Sequence, residues 1–258
     1  MDAGMRELLK KLSKTLFDRV KGLAYKIDDV GMSDSKILLF DDMVLKITPV
    51  NRASDNEIKL LRWLNGKLPV PKIIEAVTDD GYNYLLMTKL SGEMADVDLN
   101  VKALANALKM LWEIDISDCP CTNAVSEKLQ QAKYNVDNDL VDPEHFDDET
   151  LGSKGFKDVA DLYNYLETNR PTEDFVFSHG DFCFPNIFIS GTNVTGYIDW
   201  GSGGIADRWQ DIALCVRSLC YNFDDDDYIK YRALFFTELG IEPNEEKIRY
   251  YRLLDELF

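Results

Sequence analysis

The spacing of hydrophobic residues divides the chain into a first third typical of strands and a remainder typical of helices. Two short β-prone runs, SKILLF (35–40) and MVLKI (43–47), flank the dipeptide DD and predict a β-hairpin. The run YNYLLMTKLSG (82–92) predicts another strand that ends in a turn. Between them, residues 54–72 show helical spacing, begin with a Ser-Asp cap and should end as a helix near Gly66.

From residue 101 onward the hydrophobic pattern is mainly that of helices. The segments that carry it are VKALANALKMLWEI (101–114), FKDVADLYNYLE (156–167), ADRWQDIALCVRSL (206–219), DYIKYRALFFTEL (227–239) and NEEKIRYYRLLDELF (244–258). We therefore predict an α+β protein with two lobes. The N-terminal lobe, residues 1–90, should be rich in strands, and the C-terminal lobe, residues 91–258, should be mainly helical.

Length and composition are those of a soluble globular protein. A chain of 258 residues can bury a substantial core, and no window approaches the roughly 18 continuous apolar residues of a membrane span. The charged N-terminus lacks the apolar stretch of a secretory signal. The five cysteines, an odd number, are typical of reduced thiols, so we expect a cytoplasmic location.

The net charge of −17 changes which partners are plausible. A field of this sign repels nucleic acid and anionic membranes, and it attracts cations. We therefore expect neither nucleic acid nor a membrane as a partner. Simple solubility explains the charge equally well, so the positions of the carboxylates must decide between the two interpretations.

Polar residues with fixed spacing stand at the ends of β-prone runs in SHGDFCFPNIFI (178–189) and GYIDWG (196–201). Asp181 and Asn186 have the spacing of the kinase catalytic loop H-R-D-x-x-x-x-N, and Asp199 begins a counterpart of the kinase D-F-G. Phosphoryl transfer needs a positioned hydroxyl and metal ions that balance the charge of the phosphoryl group. We predict that Asp181 orients the hydroxyl and that Asn186 and Asp199 bind Mg²⁺.

The kinase template also requires a strand lysine and a glutamate on the next helix. Lys46, in MVLKITP, and Glu57, in the following helical segment, occupy these places. An ion pair between them would hold the lysine against the α- and β-phosphates of ATP. Either residue alone is weak evidence, because a strand lysine is usually solvated and a first-turn glutamate usually interacts with the helix dipole. Their order with Asp181, Asn186 and Asp199 makes the combined pattern strong.

Two parts of the protein-kinase template are absent. The segment DVGMSDSK (29–36) has no G-x-G-x-x-G, although Gly31 and Ser33 could turn backbone N–H groups and a hydroxyl toward phosphates. There is no A-P-E, and Gly180 replaces the arginine that binds an activation-loop phosphate. We therefore expect a constitutive small-molecule kinase that needs neither phosphorylation nor an obligate protein partner.

Three further polar residues near these motifs have structural interpretations. His179 is better explained as a buried structural histidine than as a base, because Asp181 already fills the catalytic role. Asp207 and Asp211, in ADRWQDIA, are expected to cap a helix and to hold the catalytic loop in place.

Taken together, these motifs resemble those of the aminoglycoside phosphotransferases, and most of all the 3′-phosphotransferases. The resemblance covers nearly the whole chain, and its most specific elements are HGD-x-C-x-PN and the final LLDELF. It implies the two-lobed protein-kinase-like fold. It also implies Mg²⁺-dependent transfer of the γ-phosphate of ATP, with GTP as an alternative, to a hydroxyl of an aminoglycoside antibiotic, the 3′-hydroxyl, and thus resistance.

The resemblance further implies which residues contact the two substrates. The adenine would contact the backbone from Thr88 to Leu90, with Ile198 beneath it, and Ser33 would lie at the phosphates. Acidic groups would surround the polycationic acceptor, namely Glu144, Asp147, Asp255, Glu256 and the terminal carboxylate of Phe258. For the segment DPEHFDD, which contains two of these acids, a solvated loop is the competing interpretation.

Some positions depart from the pattern of close relatives. Ser202 stands where they often carry an arginine, and Tyr221 and Asn222 stand where some carry acids. Val44 replaces an aromatic residue that stacks on adenine in one branch. These departures leave the nucleotide preference and the range of acceptors open.

Two other functions are compatible with parts of the pattern. A kinase of another small alcohol, such as choline, a sugar or a different antibiotic, would share the catalytic motifs, but a choline site would use an aromatic cage rather than several carboxylates. A non-catalytic nucleotide-binding protein would usually lack a metal-binding residue or the base. All of these residues are present here.

Overall fold

A five-stranded antiparallel sheet forms the first part of the fold. The computed structural model describes residues 12–28, 35–95, 101–147 and 150–258. After helix α1 (Lys14–Val20) come strands β1 (Lys26–Asp28), β2 (Lys36–Leu39), β3 (Met43–Pro49), β4 (Ile73–Asp79) and β5 (Tyr82–Thr88), in the sheet order β1-β2-β3-β5-β4. The predicted hairpin is confirmed as β2 and β3, and the third predicted strand as β5.

Helix α2 (Arg52–Leu64) follows the sheet's central strand β3 and ends, as predicted, just before Gly66. Its predicted cap is wrong by three residues. Asn51 caps the helix by accepting a hydrogen bond from the Ser54 N–H at 2.8 Å, and the Ser54 hydroxyl accepts one from the Asn51 N–H at 3.0 Å. This is a capping box in which serine replaces the usual glutamate, so the serine marks the third residue of the helix rather than its start.

Two small sheets frame the polar motifs that contain Asp181, Asn186 and Asp199. Strand β6 (Glu93–Met94) pairs with β8 (Ile187–Ser190), which pairs with β9 (Asn193–Tyr197), while β7 (Phe175–Ser178) pairs with β10 (Gly204–Asp207). The loop with Asp181 and Asn186 connects β7 to β8 through a short 3-10 turn. Asp199 follows β9. Because β8 and β9 are antiparallel, the loop that precedes β8 and Asp199, which follows β9, lie at the same end of this strand pair.

The helices of the second part are α3 (Val101–Trp112), α4 (Val125–Asp137), α5 (Val159–Thr168), α6 (Arg208–Asn222), α7 (Asp225–Leu239) and α8 (Glu245–Asp255). The segments predicted as helical are confirmed as α3 and α5 to α8. Helix α4 was not predicted. Its buried face includes Lys128 as well as Val125, Leu129 and Ala132, so its hydrophobic pattern is interrupted by a charge. No helix among the described residues is long and apolar enough to cross a membrane.

A continuous hydrophobic core connects α2 to the helical part of the molecule. Leu60 and Leu64 of α2 belong to the same buried cluster as Phe177, Trp200 and Leu254. The indole of Trp200 is fully buried, and its ring centroid lies 5.6 Å from that of Phe177. Burial of such large side chains contributes roughly 1.5–3 kcal/mol each, so α2 and the loop around Trp200 are held in fixed relative positions.

Asp207 connects two helices at the end of β10. It caps α6 by accepting a hydrogen bond from the Trp209 N–H at 3.3 Å, as predicted from the sequence. Its second oxygen accepts hydrogen bonds from two residues of α8, Lys247 at 2.7 Å and the Tyr251 hydroxyl at 2.9 Å. The Asp207 carboxylate is fully buried, so it depends on these partners for its stabilisation.

Replacing Asp207 with Ala is expected to destabilise the protein by about 3 kcal/mol, because it leaves the Lys247 ammonium without its buried partner. Tm should fall by roughly 6–12 °C. Asp224→Ala is the matched control, because Asp224 caps α7 but is exposed. Its loss should cost about 1 kcal/mol. Thermal unfolding of the two variants measures the difference, and equal Tm values would show that the Asp207 network contributes no more than a cap.

Candidate active site

Lys46 lies at the centre of the cleft between the five-stranded sheet and the rest of the molecule. Its ammonium donates hydrogen bonds to Glu57 of α2 at 3.1 Å and to Asp199 at 3.2 Å, and it is only 8% exposed. Burial alone would lower the pKa of Lys46, but the carboxylates of Glu57 and Asp199 raise it above its ordinary value. The structure therefore brings together three of the predicted residues, with the lysine charged.

The backbone at Asp199 turns its carboxylate toward Lys46. Asp199 has a φ of 64°, in the left-handed region that aspartate adopts more readily than most residues. The next residue, Trp200, is buried and anchors this turn. The Asp199 side chain is about half exposed, and its Oδ2 makes no hydrogen bond to the part of the chain that the structure describes. One carboxylate oxygen is thus free to bind a cation.

Asp181 and Asn186 contact each other directly in the catalytic loop. The Asn186 amide nitrogen donates to the Asp181 side chain at 2.9 Å and to its backbone carbonyl at 3.0 Å. This leaves the amide oxygen of Asn186 for another ligand. Burial raises the pKa of Asp181, with a further contribution from Asp255 and Asp199, while His179 and Asn186 act in the opposite direction.

A buried carboxylate holds the catalytic loop in place. Asp211, on α6, is fully buried and accepts hydrogen bonds from the backbone N–H groups of His179 and Gly180, both at 2.8 Å. The His179 ring is also buried, with its Nε2 2.9 Å from the Ile198 carbonyl oxygen and its centroid 4.5 Å from that of Trp200. These contacts confirm the structural interpretation of Asp211 and agree with that of His179.

Gly180 is required where the loop passes the segment after Asp199. Its φ is 81°, and an added Cβ would lie 1.8 Å from the carbonyl oxygen of Ser202. No side chain fits without moving one of the two loops. The same carbonyl accepts a hydrogen bond from Asn123 at 2.6 Å, so it is fixed on its other side as well.

The predicted adenine-binding segment follows β5. The Thr88 N–H donates to the Lys72 carbonyl and the Lys89 N–H to the Asp42 carbonyl, both at 2.9 Å. Within the described chain the Leu90 N–H has no hydrogen-bond partner, so it can donate to the adenine of a nucleotide. The Leu90 side chain packs on Gly196, two residues before Ile198, which brings these predicted residues to one region. Ser33 lies outside the described residues.

Two adjoining cavities extend along the cleft. One, of about 240 Å³, is lined by Lys46, Glu57 and Asp199. The other, of about 340 Å³, is lined by Lys128, Asp255 and Phe258 among others. The two share the lining residues Asn51, Ala53 and Gly201. Lys46 and Asp199 thus line a cavity that adjoins the one lined by Asp255 of the chain end.

Two of the predicted acceptor-binding acids are paired with arginines. Asp255 accepts a hydrogen bond from Arg217 at 2.5 Å. Asp147 accepts one from Arg252 at 2.6 Å and another from the Tyr221 hydroxyl. These cations and the tyrosine were not predicted to contribute, and no local pattern indicates them because their partners are distant in the chain. Glu144 is exposed.

Glu256 points away from the cavity that contains Asp255, which differs from the expectation that the terminal acids act together. It is 8% exposed, and its Oε1 accepts hydrogen bonds from the Asp147 N–H and the Thr150 hydroxyl, both at 3.1 Å. It lines a separate cavity of about 390 Å³ with Asp147 and Arg252. Burial raises the pKa of Glu256 to about 6, although the two hydrogen bonds oppose this shift.

The buried lysine–glutamate pair, the Asp-Asn loop and the second aspartate define a nucleotide-dependent phosphotransferase of the protein-kinase-like class. The phosphotransferase enzyme family matches residues 26–251, and the chain belongs to this family. It is 38% identical to an aminoglycoside 3′-phosphotransferase of Enterococcus faecalis, over 90% of this chain and 92% of the relative.

Solved structures agree with this fold. An aminoglycoside-3′-phosphotransferase of type VIII superposes with a TM-score of 0.82, with 28% identity and all of both chains covered. An aminoglycoside phosphotransferase from Streptomyces rimosus in complex with ADP and streptomycin gives a TM-score of 0.80 at 22% identity, over 100% of this chain and 99% of the other. The predicted two-lobed, protein-kinase-like fold is confirmed.

Replacing Gly180 with Ala should lower kcat by at least about 10²-fold, because the new Cβ displaces the catalytic loop from the Ser202 carbonyl. Gly191→Ala is the matched control. Gly191 also has a positive φ, 61°, but nothing lies within 4 Å of its added Cβ, so this variant should lose about 1–2 kcal/mol of stability and little activity. Steady-state kinetics and thermal unfolding compare them. Native activity of Gly180→Ala would show that the loop tolerates a side chain next to the Ser202 carbonyl.

Proposed function

We propose that the protein transfers the γ-phosphate of ATP to the 3′-hydroxyl of an aminoglycoside and thereby confers resistance. The observation that carries this proposal is that two cavities adjoin. Lys46 and Asp199 line one of them, and Asp255 lines the other. The names of the Enterococcus and type VIII relatives support the acceptor class and the 3′ position.

The donor end of the cleft fits ATP with Mg²⁺. Magnesium prefers oxygen ligands and usually takes one or two from the protein, with the rest from phosphates and water. The free oxygen of Asp199 and the amide oxygen of Asn186 fit this requirement. Lys46 would hold the α- and β-phosphates, and Mg²⁺ would balance their charge. The ADP complex of the Streptomyces relative supports the nucleotide, with GTP as the alternative donor.

Asp181 would orient the acceptor hydroxyl. The carboxylate accepts a hydrogen bond from the hydroxyl and then its proton, while the new O–P bond forms and the bond from the γ-phosphorus to ADP breaks. The Asn186 hydrogen bond fixes the carboxylate for this contact. The raised pKa of Asp181 makes it a better proton acceptor than an exposed aspartate.

Carboxylates at the acceptor end would recognise the ammonium groups of the antibiotic. Asp255 and the terminal carboxylate of Phe258 lie at the cleft, and Asp147, Glu256 and Glu144 belong to the neighbouring region. Ammonium groups would interact with acids that Arg217 and Arg252 now hold in position. A polycation is favoured over choline, because this arrangement offers several separate charges rather than an aromatic cage.

The remaining parts of the proposal concern organisation and location. The nucleotide-binding lobe would comprise residues 1–90, and the catalytic and acceptor-binding lobe residues 91–258. All five cysteines are free thiols, which supports a cytoplasmic location. Helix α2 is held by the core and by Lys46, which supports activity without phosphorylation or a protein partner. The charge of −17 supports the absence of nucleic acid and membranes as partners.

Turnover of ATP with kanamycin, neomycin and choline tests the proposed acceptor class. We expect ADP formation with the two aminoglycosides and none above background with choline. Asp181→Ala should lower kcat for kanamycin by roughly 10²–10⁴-fold with little change in ATP affinity, because the variant loses only the group that positions the hydroxyl. Asp226→Ala, at an exposed position of α7, serves as the control. Near-native turnover of Asp181→Ala would refute its role.

The affinity for kanamycin should fall as the pH decreases through about 6, because Glu256 then gains a proton and loses its charge. Glu256→Gln keeps the oxygen that accepts the two hydrogen bonds but carries no charge at any pH. Calorimetric titration from pH 5 to 7.5 should show weaker binding by this variant above pH 6 and convergence with the native protein below it. Parallel curves across the whole range would exclude Glu256 as a cation-binding group.

A further inference from the structure

Lys128 is a buried cation without hydrogen-bond partners in the described chain. It lies on α4 with its side chain 8% exposed, and its ammonium is 3.9 Å from the nearest oxygen of Asp255. It also lies 4.9 Å from the centroid of the Phe258 ring. Lys46, by contrast, makes hydrogen bonds to two carboxylates. A buried ammonium with three unused donors is costly, so a ligand with acceptor oxygens would stabilise it.

The position of Lys128 indicates which ligand would bind its ammonium group. It lines the 340 Å³ cavity together with Ser202, Asp255 and Phe258. That cavity adjoins the one with Lys46 and Asp199 through Gly201. Lys128 therefore lies in the cavity of Asp255, next to the one that contains Lys46 and Asp199, and Asp181 is close enough for its charge to act on the ammonium.

The positive charge of Lys128 disfavours a polycationic acceptor and favours a phosphoryl group. An ammonium in this cavity repels a polycationic acceptor, so it does not serve acceptor binding. It attracts the equatorial oxygens of a phosphoryl group, whose negative charge is exposed during transfer. Burial lowers the pKa of Lys128 below its ordinary value, and the carboxylates of Asp255 and Asp181 oppose this shift without reversing it.

We propose that Lys128 is a catalytic residue that donates hydrogen bonds to the oxygens of the phosphoryl group in transfer, on the acceptor side of the cleft and opposite Lys46. This rests on the proposed phosphoryl transfer from ATP but not on the identity of the acceptor. Lys128 forms and breaks no covalent bond. The hydroxyl proton goes to Asp181, the O–P bond forms, and the electron pair of the broken P–O bond leaves with ADP.

The competing explanation is that Lys128 only neutralises Asp255 and holds the chain end. The variants Lys128→Met and Lys128→Arg separate the two, because methionine fills a similar volume without charge and arginine retains the charge. Lys133→Met is the control. Lys133 is on the same helix but half exposed, and it pairs with Asp137 and lies 5.9 Å from the centroid of the Tyr163 ring, away from both cavities.

The test uses ADP with aluminium fluoride, which imitates the phosphoryl group in transfer, and ADP alone, both with Mg²⁺. For Lys128→Met we expect about 10²-fold weaker binding of the aluminium fluoride complex by calorimetry and unchanged binding of ADP. The slow hydrolysis of ATP without acceptor and kcat for kanamycin should fall by a similar factor. KM for kanamycin should stay equal or decrease. Lys128→Arg should recover part of each loss, and Lys133→Met should behave as the native protein.

Unchanged binding of the aluminium fluoride complex, or a loss confined to KM for kanamycin, would overturn the role of Lys128. The following combination of results would refute only the proposed acceptor and not the role of Lys128. If the native protein binds the aluminium fluoride complex and hydrolyses ATP but phosphorylates no aminoglycoside, the acceptor is wrong while the binding data still decide the role of Lys128.

Discussion

The ion pairs of Lys46 are the interaction on which the cleft depends. One buried ammonium connects the central strand β3, helix α2 through Glu57, and the turn at Asp199. Without this cation two carboxylates would face each other in a space of low polarity, which is strongly unfavourable. The capping box at Asn51 fixes where α2 begins, and the core under Leu60 fixes its distance from the helical part. The donor end of the site is therefore preorganised.

The local features of the fold and of the donor site followed from the sequence. The β-prone runs of β2 and β3, the helical spacing of α6 to α8, and the five-residue separation of Asp181 and Asn186 are short-range patterns, and the structure places them as expected. The cap of α2 was misassigned because serine serves equally well as the first or the reciprocal partner of a capping box. Helix α4 was missed because a charged residue, Lys128, is part of its buried face.

The acceptor end could not be predicted at the same level, because its contacts join residues far apart in the chain. Arg217 is 38 residues from Asp255, and Arg252 is 105 residues from Asp147. Only tertiary packing brings these partners together, and it also turns Glu256 away from Asp255. Asp255 and Asp147 are consequently held by internal cations rather than displayed as a continuous negative surface. Such pairing limits repulsion among carboxylates and keeps each of them in position for an ammonium group.

The position of the transferred phosphate tests the proposed function most directly. The initial rate of ADP formation should be compared for kanamycin and for a kanamycin analogue that lacks only the 3′-hydroxyl. We expect turnover with kanamycin, no turnover above the acceptor-free rate with the analogue, and competitive inhibition by the analogue, since its ammonium groups still bind the acids. Equal turnover of the two compounds would contradict transfer to the 3′-hydroxyl, because the phosphate would then be on another hydroxyl.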